Sequence, residues 1–239
     1  MAILQLLHIN VGTVRPLRVG ERKIMSAIGK KSVAGPVQVG PLGLAGDEQA
    51  DLSVHGGLDK AVYAFPSEHL AYWQAQRAAQ GVSLFEETLP PGFVGENLSI
   101  SGLREDQVFI GDRLRFADCV LRVTQPREPC GKFNAVMAYA QAARDMVLSA
   151  CCGFYLAVES AGTLRPGESF ELVAGSRQVS IAQALAFKQA RVVVRYGDHP
   201  LIRKLYPESA WQWKIFAGRT QANKIKNEVL LVNSLSNCL

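Results

Sequence analysis

Short runs in which apolar and polar residues alternate, divided by glycine, proline and acidic turn residues, recur through the first 175 positions of the chain. A period of two predicts half-buried strands. Ile3–Val11 reads as a first strand ending at Gly12, and Val37-Gln38-Val39 as a second before a glycine-punctuated turn over Gly40–Gly46. Val62–Phe65, the residues after Asn97, Arg113–Phe116, Cys119–Thr124, Gly153–Val158 and Ser169–Val173 follow the same logic, with turns at Ile110-Gly111-Asp112 and Pro166-Gly167. Two helices interrupt them. Ser67 is placed to cap one that runs to about Ala79, with Leu70, Ala71 and Trp73 inward. The other covers Phe133–Ala150, where Val136, Tyr139, Ala140, Ala143 and Val147 share a face. Many short strands with so few helices predict a mostly β fold, a closed or nearly closed β-barrel rather than a doubly wound sheet.

From Gln178 the period becomes helical: Val179, Ala182, Leu185, Ala186; then Leu201, Ile202, Leu205, Tyr206; then Trp211, Ile215, Phe216. Three short helices fit, broken near Gly197–Pro200 and at Pro207. The predicted organisation is therefore a β-barrel domain over 1–175 and a small helical domain over 176–239, joined near Gly175-Ser176.

The densest chemistry lies in Gln125-Pro126-Arg127-Glu128-Pro129-Cys130-Gly131-Lys132-Phe133. Two prolines end the incoming strand, because neither can donate to a ladder, and a helix begins just beyond. Cys130 thus sits at a strand-to-helix junction between Arg127 and Lys132, where positive charge favours thiolate over thiol. A thiolate is a nucleophile and a soft metal ligand. The competing description is a small buried apolar residue, which fits most free cysteines.

A second polar cluster, Gly46-Asp47-Glu48-Gln49-Ala50-Asp51 followed by His55-Gly56-Gly57 and Asp59-Lys60, is costly to bury unless it binds something or pairs with itself. The glycines permit close backbone approach to a ligand. His55 is either a pocket residue, including a metal ligand with Asp47 or Asp51, or a structural histidine whose tautomer its acidic neighbours fix. Ser26–Ser32, with hydroxyls, Gly29, Lys30 and Lys31, suits an anion; the same composition also describes a polar turn.

Composition narrows the partners. The net charge of +5 is concentrated after residue 176, where ten bases face three acids. A basic tail suits an acidic protein, but no stacking array or nucleic-acid motif accompanies it, so nucleic acid is not expected. Five cysteines at 119, 130, 151, 152 and 238 form neither a C-x-x-C pair nor a zinc spacing, which predicts a reducing, cytoplasmic compartment. Cys119, Cys151 and Cys152 read as packing residues. No apolar run is long enough to span a bilayer, and no nucleotide-binding fingerprint is present.

Taken in order, Ser26-Ala27-Ile28 with Lys30, Gly46–Ala50, Val54-His55-Gly56-Gly57 with Asp59–Val62, Gly95-Glu96-Asn97-Leu98, Gly111-Asp112 and Gln125-Pro126-Arg127-x-Pro129-Cys130 closely resemble the MOSC domain family. Within it the chain is similar to the YiiM-like subgroup, which adds a small three-helix C-terminal domain; the likeness covers about residues 5–220 and lapses from about Arg219. The resemblance implies a β-barrel holding molybdenum cofactor (molybdopterin), with Cys130 as the molybdenum ligand. It further implies Lys30, Arg127 and Lys60 toward the phosphate or pterin, Ser26, Asp47, Gln49 and Asn97 around the cofactor, and His55 or Glu96 as proton donor. The implied activity is an oxidoreductase that reduces N-hydroxylated compounds such as purine bases, a detoxification, supplied with electrons by a flavoprotein docked on the basic tail. A persulfide sulfur carrier at Cys130, or a cofactor-binding or delivery module without turnover, uses the same residues. Monomer and homodimer both stay open.

Overall fold

The structure is a computed structural model and describes residues 3–51, 56–83, 87–189, 193–197, 200–205, 208, 211–219 and 225–233. The chain divides into two compact units, Met1–Leu185 and Ala186–Leu239.

The first unit is built on β1 (Gln5–Val11), a hairpin β2 (Arg15–Val19) and β3 (Arg22–Ser26), β4 (Lys31–Val33), β5 (Val37–Gly40) and β6 (Gly43–Leu44). After these come β7 (Val62–Pro66), α1 (Leu70–Ala79), β8 (Leu98–Ser101), β9 (Arg113–Arg115) and β10 (Val120–Pro126). Two helices, α2 (Gly131–Met137) and α3 (Ala142–Ser149), lead to β11 (Phe154–Ser160), β12 (Gly162–Leu164) and β13 (Glu171–Val173), and the division between the units falls within α4 (Ile181–Gln189). Eight of the strands form one sheet in the order β13-β9-β10-β11-β7-β8-β1-β4, mixed because β7 and β8 run parallel. A parallel pair needs a crossover, and α1 supplies it.

The fold is sheet-dominated, as the alternating pattern predicts, but among the described residues its ladder is not a closed barrel. At one corner the start of β1, the strand next to the β4 edge, meets the segment leading into β13 through backbone bonds: Leu6 N donates to Glu168 O at 2.9 Å, Gly167 N to Leu6 O at 2.7 Å and Phe170 N to Leu4 O at 3.1 Å. Among the described residues an isolated bridge, Gln5 to Ser169, joins them as a β pair. Inside lie Leu6, Ile9, Phe65, Leu98, Leu121 and Phe154, all fully buried. Trp73 of α1 packs edge-on against Phe133 of α2, with ring centroids 5.2 Å apart.

Two expectations change. The single helix over Phe133–Ala150 is two, because Ala138 turns left-handed at φ 60° and ends α2. Asn134 Oδ1 then accepts Ala143 N at 2.7 Å in the first turn of α3. The apolar spacing carries across the break, which is why the pattern did not reveal it.

The second unit holds β14 (Val193–Gly197), α5 (Pro200–Leu205), β15 (Trp211–Arg219) and β16 (Ile225–Asn233), and the strands form a sheet in the order β14-β16-β15. A three-helix domain is therefore not what this segment forms: the expected third helix is β15. Residues four apart share a face in a helix and in a strand alike, so Trp211 and Ile215 fit both periods. Trp213 between Gln212 and Lys214 fits only the period of two, and the β-branched and aliphatic run Val229–Val232 supplies the partner strand. No helix of the described residues is long and apolar enough to cross a membrane.

At the α3–β11 turn, Glu105 Oε1 accepts Cys152 N at 3.1 Å and Gly153 N at 2.6 Å, while its Oε2 lies 2.7 Å from His69 Nε2. Burial by itself pulls the imidazole pKa down, yet hydrogen bonds to Cys151 and Glu105 and the charge of Glu105 outweigh it and hold it up at about 9 against its ordinary 6.5. A raised histidine stabilises the fold fully below the unfolded pKa and loses that contribution as pH climbs through the folded one. Chemical denaturation of the wild type should show stability falling between pH 6.5 and 9, and His69→Gln should remove that part of the slope. Gly153 holds φ +69°, and a Cβ there would lie 2.3 Å from Ala64 O across the β7–β11 pair. Gly153→Ala should cost about 3 kcal/mol, read as a lowered urea midpoint.

Candidate active site

β10 ends at Pro126, and Arg127, the next residue, sets the course of the loop that carries the cysteine. Arg127 N donates to Gly153 O at 3.2 Å, tying the loop to the start of β11, and its side chain turns inward. The guanidinium lies 4.8 Å from the Tyr63 ring centroid and 5.3 Å from that of Phe133. Arg127 is 6% exposed, and Nε and Nη1 have no hydrogen-bond partner among the described residues. Three positions on, Cys130 precedes α2 in an extended conformation and is half-buried.

These residues line an open cleft whose empty space, counted out into open solvent, is about 630 Å³. Tyr63 of β7, Tyr155 of β11, Ser26, Ile28, Lys30 and Asp47–Ala50 line it as well. Burial raises the pKa of both phenols against the opposing pull of Arg127, so each is a neutral hydroxyl at physiological pH. Tyr63 Oη is itself committed, donating to Cys152 O at 2.6 Å.

Lys30 is held differently from Arg127. Gly92 closes on its backbone so tightly that a Cβ at position 92 would meet Lys30 O at 2.8 Å. Its ammonium is paired with Asp47, both side chains being under a tenth exposed. Asp47 Oδ1 also accepts Gly12 N at 2.8 Å, and Oδ2 accepts Asn97 Nδ2 at 2.8 Å. Asn97 Oδ1 in turn accepts Tyr63 N at 3.1 Å. Burial lowers the Lys30 pKa, with the Asp47 charge and hydrogen bond opposing it.

Of the residues singled out from sequence, Ser26, Lys30, Asp47, Gln49, Lys60, Asn97, Arg127 and Cys130 come together around this cleft. Lys60 lies 5.9 Å from the Tyr155 ring centroid, and Gln49 packs against Gly56. Glu96 is elsewhere. It is fully buried, with Oε1 accepting Gly92 N at 2.6 Å and Ser99 Oγ at 2.9 Å, and it does not line the cleft. Burial pushes its carboxyl pKa up, and those hydrogen bonds oppose the shift. His55 lies outside the described residues. Tyr63 and Tyr155 were missed because an aromatic in a β-branched run reads as core.

The donor set fits an anionic group that carries its own metal. Two unsatisfied guanidinium N–H groups in a buried position call for an oxyanion. Among the described residues Arg127, Lys60 and Lys132 form no ion pair, and the cleft thiol is a soft ligand. No cluster of three or more His, Cys, Asp or Glu able to cage a bare metal ion occurs among them.

Residues 51–171 match the sequence model of the MOSC domain. The chain is 38% identical to Protein YiiM of Escherichia coli (strain K12) over 161 residues, 67% of this chain and 70% of that one. The chain belongs to the MOSC domain family. A crystal structure of YiiM from Geobacillus stearothermophilus superposes with a TM-score of 0.60 at 31% identity, covering 77% of this chain and 83% of that one. A protein of Gibberella moniliformis (strain M3125 / FGSC 7600) named Reductase is 30% identical over 169 residues, 70% of this chain but 29% of its own length. In this MOSC domain the cleft depends on Asp47 as the counter-charge of a buried lysine. Asp47→Ala should lower stability by about 3–5 kcal/mol, since it strands a buried cation, and adding Lys30→Met should recover part of the loss in the urea midpoint.

Proposed function

We propose that this MOSC-domain chain binds molybdenum cofactor (molybdopterin) and is an oxidoreductase that reduces N-hydroxylated compounds such as N-hydroxylated purine bases. The observation that carries the reading is the pairing, in one cleft, of a half-buried thiol with a buried guanidinium whose Nε and Nη1 lack partners. A cation desolvated in that way favours a phosphate-sized anion over water. Cys130 is the proposed protein ligand to molybdenum, and Arg127, with Lys60 and Lys132, the proposed grip on the cofactor's anionic end. When bound, the cofactor supplies the two-electron chemistry that breaks an N–O bond.

The protein's own contribution is placement and protons. Tyr63 and Tyr155, whose rings are tilted by 47° to one another, offer aromatic surface against which a planar base can lie, and Asn97 and Asp47, each already hydrogen-bonded, offer fixed polar atoms in the same cleft. His55 is assigned the proton delivered to the leaving oxygen. Glu96 is assigned a positioning role, since its carboxyl fastens the Gly92 turn that presses on Lys30. Electrons come from a partner flavoprotein, for which the basic C-terminal segment is the proposed dock.

Expression in a host that makes the cofactor, with metal and pterin analysis of the purified protein, tests this. The wild type should carry molybdenum near stoichiometry and reduce an N-hydroxylated purine; Cys130→Ala should retain its fold and lose at least about tenfold of the molybdenum. Sulfane sulfur on Cys130 without molybdenum would instead identify a sulfur carrier, and molybdenum without reduction a delivery module.

A further inference from the structure

Beside the cleft stands a hairpin with an adverse arrangement of charge. β2 and β3 pair with each other in a two-stranded sheet, apart from the eight-stranded one. A ribbon of that size is marginal in water and depends on its cross-strand pairs. In this one Arg18 lies directly opposite Lys23, so two cations share one face, with Pro16 and Met25 opposed beside them. Like charges in that position repel and weaken the hairpin. All four residues are exposed, Met25 by 52%, while Leu17, Val19 and Ile24 on the reverse face are half-buried. Arg18 spends its Nε on Gly20 O at 3.1 Å. Among the described residues Arg15, Arg18, Arg22 and Lys23 form no ion pair.

The hairpin is rooted in the cleft at both ends. Ser26, the last residue of β3, lines it; so does Glu48, whose Oε2 accepts Val14 N at 2.6 Å just before β2. β2 also packs against α2, the helix that Cys130 precedes. We propose that the outward face of this hairpin, centred on Arg18 and Lys23, is a docking surface for an acidic protein, the electron-donating flavoprotein. The partner's identity rests on the reductase reading; the surface itself rests on the hairpin. Carboxylates of a partner set against Arg18 and Lys23 turn the repulsion into attraction, and closing the interface removes the water that screens it. A small anion on so exposed a face gains little, because solvent screens it from both sides. An exposed methionine between cations matches the composition of interfaces. No aromatic residue occurs between Val14 and Ser26 to stack a nucleobase. The C-terminal segment carries its charge on the other unit, whereas the hairpin belongs to the unit that holds the cleft.

The full-length protein tests this with flavodoxin, a small acidic flavoprotein, as the probe. Arg18→Glu sets opposite charges across the hairpin, so its urea midpoint should stay level or rise, which separates docking from folding. By titration calorimetry at low salt the variant should bind flavodoxin about tenfold more weakly than the wild type, and added sodium chloride should weaken the wild type more steeply. Carbodiimide coupling followed by peptide mass spectrometry should join Lys23 to a flavodoxin carboxylate. In molybdenum-loaded protein Arg18→Glu should lower kcat/KM about tenfold with flavodoxin hydroquinone as donor and leave the rate with reduced methyl viologen unchanged. Equal binding by wild type and variant, cross-links confined to the C-terminal segment, an equal loss with methyl viologen, or hairpin-dependent binding to anionic vesicles or to a second copy in place of flavodoxin would each overturn the docking surface. A wild type that methyl viologen cannot drive would instead overturn the reductase reading, and binding and cross-linking would still decide the surface.

Discussion

A buried, under-satisfied guanidinium governs the cleft. Leaving charged donors without partners in a protein interior costs a few kcal/mol, which a desolvated cation–π contact, worth about 2 kcal/mol or more, offsets in part. Arg127 has two aromatic rings around it and still two donor nitrogens without hydrogen-bond partners. Its position is locked from the backbone side. The Arg127 amide is bound to Gly153 O, and the Gly153 and Cys152 amides are bound to Glu105. An anion that reaches the guanidinium is therefore met by a donor already stripped of water and already in place.

Lys30 gives the contrast that makes this reading specific. It too is buried and cationic, but Asp47 neutralises it, and Asp47 is in turn fixed by Gly12 and Asn97. The pair contributes little net field, whereas Arg127, Lys60 and Lys132 leave the lining of the cleft with an excess of positive charge. The Cys130 sulfur lines that same cleft.

Much of this was legible in the chain because the chemistry is local. Prolines 126 and 129 mark where β10 must stop, and the polar run from Asp47 to Lys60 could not be buried without partners. What could not be read depends on contacts between distant segments or on ambiguous periods. Glu96 looks like a pocket acid by its neighbours Gly95 and Asn97, but in the loop before β8 its carboxyl is taken up by Gly92 N and Ser99 Oγ and does not line the cleft. Trp211 and Ile215 satisfy two periods at once, and Ala138 leaves its helix through a left-handed residue that no side chain announces. His69 and Glu105 are 36 positions apart, and only the fold brings them together.

The cleft draws its lining from residues as far apart as Ser26 and Tyr155, and the start of β1 is tied to the segment before β13 where Leu4 and Leu6 bond to Gly167, Glu168 and Phe170. Such long-range closure is slow to assemble, because the entropy of joining distant segments is lost before their contacts repay it. A nascent chain still lacking its last sheet strands has no finished pocket, whatever its local motifs. A large prosthetic group bound in this cleft would therefore be loaded after folding, through its open side.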